Sequence, residues 1–190
     1  MKNVIRIFAV LAMALVAIFA NAQHSVPALA AGPEKTTGST QIVALDECDP
    51  LTFNAALGND FCKNVALAPL GFATTLPDLF AKAAAGTPDP GWDFEPDALN
   101  IKEGATLVVG NQGGEPHTFT EVKNFGGGFI DGLNGGEQTV QECAGGFSNV
   151  AVAKTRILQG SQTQLTNMPK GVHHFQCCIH PWMRVTVDVK

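Results

Sequence analysis

The sequence predicts an all-β fold for the second half of the chain, a sandwich or barrel of short strands. Short apolar segments at residues 98–101, 106–109 and 117–122 follow one another at a spacing of roughly ten residues, which is typical of such folds. The chain ends in the alternating run Val185–Val189, the pattern of a half-buried strand. The composition agrees, because Gly and Pro are frequent, with 20 and 11 residues, and Tyr is absent.

A Pro- and Gly-rich break at residues 87–91 precedes this β pattern. It divides the chain into an N-terminal extension, residues 41–91, and a domain, residues 92–190. The extension is expected to pack on the domain rather than to form a second one. Within it, the apolar residues 41–45 predict a short edge strand.

The extension also contains the one helix that the sequence predicts. Residues 79–85 are rich in Ala and Leu, Thr75 or Asp78 is placed to cap the helix, and Gly86 ends it.

The later part of the domain is expected to be irregular first and then β. Residues 124–146 are rich in Gly, and loops of that length inside a domain are usually functional or irregular. Strand character returns at residues 150–153, 156–158 and 163–166.

The first residues predict export. Residues 1–22 combine a basic start, an apolar run over residues 7–19 and a small-x-small cleavage site, as secretory signal peptides do. The run is shorter than the roughly 20 residues that a membrane-spanning helix needs, so no stable membrane insertion is expected after cleavage. A second site of the same kind ends at Ala30, and residues 23–40 are interpreted as a flexible tether. The predicted location is periplasmic or secreted.

The charge balance excludes nucleic acid as a partner. Lys2 and Arg6 lie in the predicted signal peptide, and ten basic residues against seventeen acidic ones remain after cleavage. Phosphate binding needs a high density of Lys and Arg. An acidic surface fits a monomer or a basic protein partner.

Five cysteines in an exported chain leave one thiol unpaired, and a bound metal would protect it. If Cys177 is the metal ligand, two disulfides can form. Cys48 with Cys62 is the local pair, and Cys143 with Cys178 follows by elimination. Four cysteines allow three connectivities, so the sequence leaves this pairing open.

The ligand pattern near the C-terminus indicates copper. In Cys177-x-x-His180-x-x-Met183, a thiolate, an imidazole and a thioether lie within seven positions. Two His, one Cys and a weak axial Met form the donor set of copper sites that transfer electrons. His117, in a Gly-rich turn before a predicted strand, is the best-placed second histidine.

Four motifs lie between about residue 92 and residue 190, roughly half of the chain: Phe94-x-Pro96 with Ile101-Lys102-x-Gly104-x-Thr106-Leu107, Asn111-x-Gly113-x-x-x-His117-Thr118-Phe119, Leu158-x-Gly160, and Gly171-x-x-x-Phe175-x-Cys177-x-x-His180-Pro181-Trp182-Met183. Through these motifs the sequence resembles the cupredoxins, the family of plastocyanin, pseudoazurin and azurin.

The resemblance implies a Greek-key β-sandwich and a type 1 copper protein. His117, Cys177 and His180 would be the equatorial ligands of one copper ion and Met183 the axial ligand. The implied function is the transfer of single electrons between partners, such as a cytochrome or an oxidoreductase, through an exposed edge of His180. The alternative is copper handling, as a chaperone or sequestering protein. No enzyme activity is expected, because Gln176 and Cys178 stand where multicopper enzymes have histidines beside the ligand cysteine.

The chain departs from the family at three positions near the site. The short spacing between His180 and Met183 makes Met183 the least secure ligand. Thr118 stands where many members have Asn, which puts the usual hydrogen bond across the site in doubt. Cys178 is expected to face away from Cys177, since adjacent strand residues point to opposite faces.

Four more side chains near the predicted ligands have expected roles. His173 is expected to be a core residue, with His174 exposed to solvent. Glu115 could supply an oxygen ligand, as in other kinds of copper site. Trp182 would shield the metal or form an apolar docking patch.

Overall fold

The computed structural model describes residues 40–63 and 73–190. The predicted signal peptide lies outside the described residues, as does the predicted tether except for its last residue. The described residues form ten strands and three α-helices: β1 (Gln41–Leu45), α1 (Pro50–Leu57), α2 (Leu76–Ala84), β2 (Asp93–Glu95), β3 (Ala98–Ile101), β4 (Leu107–Asn111), β5 (His117–Thr118), β6 (Thr120–Val122), α3 (Val150–Lys154), β7 (Arg156–Ile157), β8 (Gln162–Leu165), β9 (Gly171–Gln176) and β10 (Arg184–Val189).

The strands form a Greek-key β-sandwich with a short helical extension, as predicted. One sheet has the strand order β2-β1-β4-β8 and the other the order β3-β10-β9-β6. A two-stranded ribbon joins β5 to β7, with His117 opposite Ile157. Strands β9 and β10 are an antiparallel pair in which Gln176 lies opposite Arg184, so the turn between them is held at both ends.

The larger of the two hydrophobic clusters in the described residues includes side chains from both sheets. Strand β10 contributes alternate residues to it, because successive side chains of a strand face opposite sides. The buried strand residues of this core cluster come from both sheets: Ile42, Ala44, Phe94, Leu99, Ile101, Leu107, Val109, Phe175, Val185, Val187 and Val189.

Strand β1 is an inner strand, and the prediction of an edge strand was wrong. It pairs antiparallel with β2 and parallel with β4, with Val43 opposite Glu95 on one side and Gly110 on the other. Ile42 and Ala44 are fully buried. A single short segment shows its apolar alternation but not its neighbours, which are strands distant in sequence.

Helices α1 and α2 differ from the predictions. Helix α2 begins at Leu76, three residues earlier than predicted, because the Thr75 hydroxyl caps it by accepting from the Asp78 amide. Helix α1 was not predicted, although Asp49 caps it by accepting from the Thr52 amide.

Residues 150–153 were predicted as a strand and are helical instead. The Asn149 side chain accepts a hydrogen bond from the Ala151 amide, which starts helix α3. The cap outweighs the β propensity of Val150 and Val152, since a helix start needs an acceptor more than a favourable side chain.

The Gly-rich segment of residues 124–146 packs against the end of β9. The Phe129 amide donates to the Cys178 carbonyl, and a Cβ at Gly128 would lie 2.1 Å from that carbonyl oxygen. The segment also holds Cys143, which forms a disulfide with Cys178. Its irregular form lets the backbone come close to the strand end.

Among the described residues, no helix is long and apolar enough to cross a membrane.

Candidate metal centre

Three side chains from two distant parts of the sequence meet at one end of the sandwich. His117 begins β5, Cys177 follows the last residue of β9, and His180 lies in the turn before β10. The Cys177 sulfur lies 3.9 Å from Nδ1 of His117 and 3.8 Å from Nδ1 of His180. All three residues are buried, and their donor atoms lie within 4.8 Å of one another.

The donor set and its spacing fit a single metal ion. Bonds from a metal to thiolate sulfur and imidazole nitrogen are about 2.3 and 2.0 Å long, so two donors of one ion lie up to ~4.3 Å apart. Both sulfur–nitrogen distances fall below that limit. One thiolate with two imidazoles is a combination that suits copper.

The surroundings of the Cys177 sulfur favour its thiolate form. Burial alone would raise the pKa of the thiol, but hydrogen bonds and charge from His117 and His180 hold it well below its usual value. The amides of Thr118 and His180 also donate to the sulfur, at 3.4 and 3.5 Å. Cys177 is the free cysteine of the chain, which leaves it available as a ligand.

Thr118 makes a bond across the site, despite the doubt raised by the absence of Asn. Besides its amide contact to the Cys177 sulfur, its hydroxyl oxygen accepts from the Cys178 amide at 2.7 Å. One threonine therefore ties β5 to both cysteines.

His117 is supported by a carboxylate on the side away from the sulfur. Its Nε2 lies 2.8 Å from Oδ2 of Asp46, and both side chains are fully buried. Burial alone would lower the pKa of His117, but Asp46 and Cys177 raise it to about 10. Burial would raise the pKa of Asp46, yet the bond to His117 and two backbone amides lower it.

His180 has a similar support and is buried, so the expected exposed edge was wrong. Only 1% of the residue is exposed, and its Nε2 lies 3.3 Å from Oε2 of Glu115. Burial raises the pKa of Glu115 above its usual value despite the contact with His180. Burial would lower the pKa of His180, but Cys177 and Glu115 raise it.

Glu115 thus contacts the ring nitrogen of His180 that faces away from Cys177. It is not one of the three clustered donors. Its second oxygen, Oε1, has no hydrogen-bond partner within the described part of the chain, nor does Nε1 of Trp92.

Aromatic rings cover both histidines. The Trp92 ring meets His180 edge-on, with centroids 4.7 Å apart, and Phe94 meets His117 at 6.5 Å. Trp182 is half-buried, lies 5.6 Å from His180 and donates its Nε1–H to the Trp92 carbonyl. Trp182 therefore shields the site and also reaches the surface.

Met183 closes the turn that carries His180. It is fully buried, its amide donates to the His180 carbonyl, and its carbonyl accepts from the Cys177 amide. These bonds fix the turn.

The other two histidines of the domain lie away from this cluster. His173 is half-buried rather than in the core, and its ring nitrogens contact Oε1 of Glu121 and the Pro169 carbonyl. His174 packs against Phe125 instead of being fully exposed.

Sequence reasoning missed Asp46 and Trp92 as parts of this site. Asp46 directly follows the alternating residues of β1, but nothing in that segment points to His117, 71 positions later. The available signal was the pair Gly113-Gly114, since adjacent glycines before a candidate ligand indicate that another group comes close.

Structural comparison finds cupredoxins. A purple cupredoxin from Nitrosopumilus maritimus is 19% identical with a TM-score of 0.35, over 54% of this chain and 86% of that one. Two reduced amicyanin mutants are 20% and 21% identical, with TM-scores of 0.34 and 0.33, over 52% and 50% of this chain and 73% and 71% of theirs. No family model matches the chain, and no curated protein matches it significantly.

The structure itself shows two four-stranded sheets and a buried His–Cys–His cluster, which is the arrangement expected of a cupredoxin-like fold. The strand order and the cluster carry this description independently of the similarity scores.

Proposed function

We propose that this is a type 1 copper protein that carries single electrons between redox partners. One copper ion would be held by His117, Cys177 and His180, with Met183 as the axial ligand. The observation that carries the proposal is the buried Cys177 sulfur with an imidazole nitrogen at 3.9 Å on one side and at 3.8 Å on the other.

The chain would hold these donors with little freedom to move. Copper would supply the one-electron couple between Cu(I) and Cu(II). The hydrogen bonds of Thr118, Asp46 and Glu115 restrain the three donors, and the surrounding aromatic rings cover both histidines. A rigid site suits electron transfer, because both oxidation states are then bound with little rearrangement.

Burial of the donors supports electron transfer over copper handling. His117 and Cys177 are fully buried and His180 nearly so, which hinders the approach of a chelating partner protein. Electrons would instead pass through Trp182, the half-buried ring that contacts His180. The proposed partner is a cytochrome or another redox protein that approaches at Trp182.

Export to a periplasm or secretion is part of the proposal. Two disulfides, Cys48–Cys62 and Cys143–Cys178, match the predicted pairings and support it. Disulfides persist mainly in oxidising compartments. No catalytic role is proposed, because Gln176 and Cys178 offer no histidine for a second metal beside Cys177.

Visible absorption and electron paramagnetic resonance of the copper-loaded protein test the function. We expect an intense thiolate-to-copper band and a reversible one-electron couple. Cys177→Ala should abolish the band, whereas His174→Ala, a histidine outside the cluster, should keep it. A colourless cupric protein, or a band that survives Cys177→Ala, would rule the proposal out.

Exchange kinetics separate the two candidate functions. An electron carrier should exchange electrons rapidly with a cytochrome and lose copper slowly to a chelator. Rapid copper loss without electron exchange would favour copper handling.

A further inference from the structure

We propose that Asp46 is a positioning residue of the copper site. It fixes the ring of His117 with Nε2 protonated and Nδ1 directed to the metal, and its negative charge lowers the reduction potential. This inference rests on the proposed function. It gives the segment N-terminal to residue 92 a direct part in the site.

The environment of Asp46 is that of a carboxylate ion with every acceptor position in use. Oδ1 accepts from the Gly114 amide at 2.9 Å and from the Cys48 amide at 3.4 Å. Oδ2 accepts from the Glu115 amide at 3.0 Å and faces Nε2 of His117 at 2.8 Å. Three of these partners are N–H donors, and a buried carboxylate needs such donors to offset its loss of hydration.

The turn before His117 is shaped to admit this carboxylate. A Cβ on Gly113 would lie 1.9 Å from Oδ2 of Asp46, and a Cβ on Gly114 would lie 2.5 Å from the sulfur of Cys48. The Asn111 side chain holds the turn by donating to the Glu115 carbonyl and accepting from the Gly113 amide. Any side chain at position 113 would push the carboxylate away.

Asp46 therefore determines which ring nitrogen of His117 keeps its proton when copper binds at the other nitrogen. An imidazole whose Nε2–H donates to Oδ2 keeps Nδ1 as an acceptor, and Nδ1 is the atom that faces the Cys177 sulfur. Metal-bound histidines commonly donate their second N–H to a carboxylate, which fixes the tautomer and raises ligand basicity. The backbone bonds of Asp46 hold the ring as well as its proton.

The charge of Asp46 acts on the two oxidation states unequally. Cu(II) carries one more positive charge than Cu(I), so a nearby negative charge stabilises Cu(II) more. The effect is strong in a buried site, where electrostatic interactions are less screened than in water. Removing the charge should therefore raise the midpoint potential.

The main experiment compares Asp46→Asn with the wild-type protein and with Asp188→Asn. Asn has nearly the same shape as Asp and keeps one acceptor oxygen but loses the charge. Asp188 lies on β10 at a partly exposed position and pairs with Lys190, so its variant controls for loss of an acidic residue. Protein-film voltammetry gives the potential, chelator competition the copper affinity, and paramagnetic resonance the copper hyperfine splitting.

We expect Asp46→Asn to raise the midpoint potential, to change the hyperfine splitting and to weaken copper binding about 10- to 100-fold, the usual cost of losing such a partner. Asp188→Asn should do none of these. A potential shift no larger than that of Asp188→Asn would overturn the inference. A wild-type protein that lacks the thiolate-to-copper band would instead refute the proposed function.

A second measurement covers the case in which Asp46→Asn does not fold. Nitrogen-15 spectra of the wild-type Cu(I) protein should show the His117 proton on Nε2, exchanging slowly with water. A metal-bound Nε2, or a proton that exchanges as fast as that of a surface histidine, would overturn the inference without any variant.

Discussion

The contact between Glu115 and His180 illustrates how single residues complete the site. The carboxylate reaches the Nε2 of His180 at 3.3 Å, and both side chains are 2% exposed. Without the Glu115 carboxylate, the Nε2–H of a metal-bound His180 would lose this hydrogen-bond acceptor. A buried donor without a partner costs free energy.

Glu115→Ala should therefore lower the free energy of unfolding of the copper-loaded protein by about 1–3 kcal/mol. Urea denaturation followed by circular dichroism measures it. Glu115→Gln should lose less, because the amide oxygen can still accept from Nε2–H.

A matched control is Glu121→Ala, which removes the carboxylate beside the less buried His173. Since exposed ion pairs contribute about 0–1 kcal/mol, this variant should remain close to the wild type. Equal losses in Glu115→Ala and Glu121→Ala would contradict the assigned role of Glu115.

Met183 allows a test of the axial ligand. Met183→Leu keeps an apolar side chain of similar volume, so the cost in stability should stay below about 1.5 kcal/mol. If the thioether binds copper, the variant should keep the metal but change the visible band and the hyperfine splitting.

Met168 provides the control, because it is buried in the same core but lies outside the ligand motif. Met168→Leu should leave both spectra as they are in the wild type. Unchanged spectra in Met183→Leu would remove Met183 from the ligand set.

At the scale of elements, the disulfide Cys48–Cys62 links the segment after β1 to the segment after helix α1, and its sulfur atoms lie next to Gly114 in the turn before His117. It closes a loop of 14 residues around helix α1. The Lys63 amide, next to it, donates to the Gly114 carbonyl. The disulfide thus lies beside the turn that brings Asp46 and His117 together.

The double variant C48A/C62A should lower the free energy of unfolding by about 3 kcal/mol, the value expected for a loop of this length. Guanidinium denaturation measures the change. Since the turn loses a neighbour, copper should also dissociate faster. A double variant as stable as the wild type would show that the packing of α1 alone holds this segment.

At the scale of the whole molecule, copper binding should be coupled to the release of protons. In the metal-free protein, the pKa of His117 is raised to about 10, whereas that of Cys177 is lowered well below its usual value. At neutral pH, copper must therefore displace a proton from the imidazolium of His117.

The sign of the pH dependence follows from these directions. Below pH 10, copper must displace the proton of His117, so affinity should increase with pH by up to about tenfold per unit for each proton released. Calorimetry in two buffers of different ionisation enthalpy counts the protons. An affinity that is constant between pH 6 and 9 would contradict the protonated state assigned to His117.

Local patterns in the sequence determined much of this protein: the strands of the domain, the Cys177-x-x-His180-x-x-Met183 motif, His117 as partner histidine and, through the odd cysteine count, a free thiol at Cys177. These features depend on the periodicity and the chemistry of residues that are close in sequence, so the sequence shows them directly.

Only the tertiary structure decided that β1 is an inner strand, that Asp46 reaches His117, and that His180 is buried beneath Trp92 and Glu115. The physical reason is that burial and hydrogen-bond partners depend on contacts between residues far apart in the chain. No local pattern specifies those contacts.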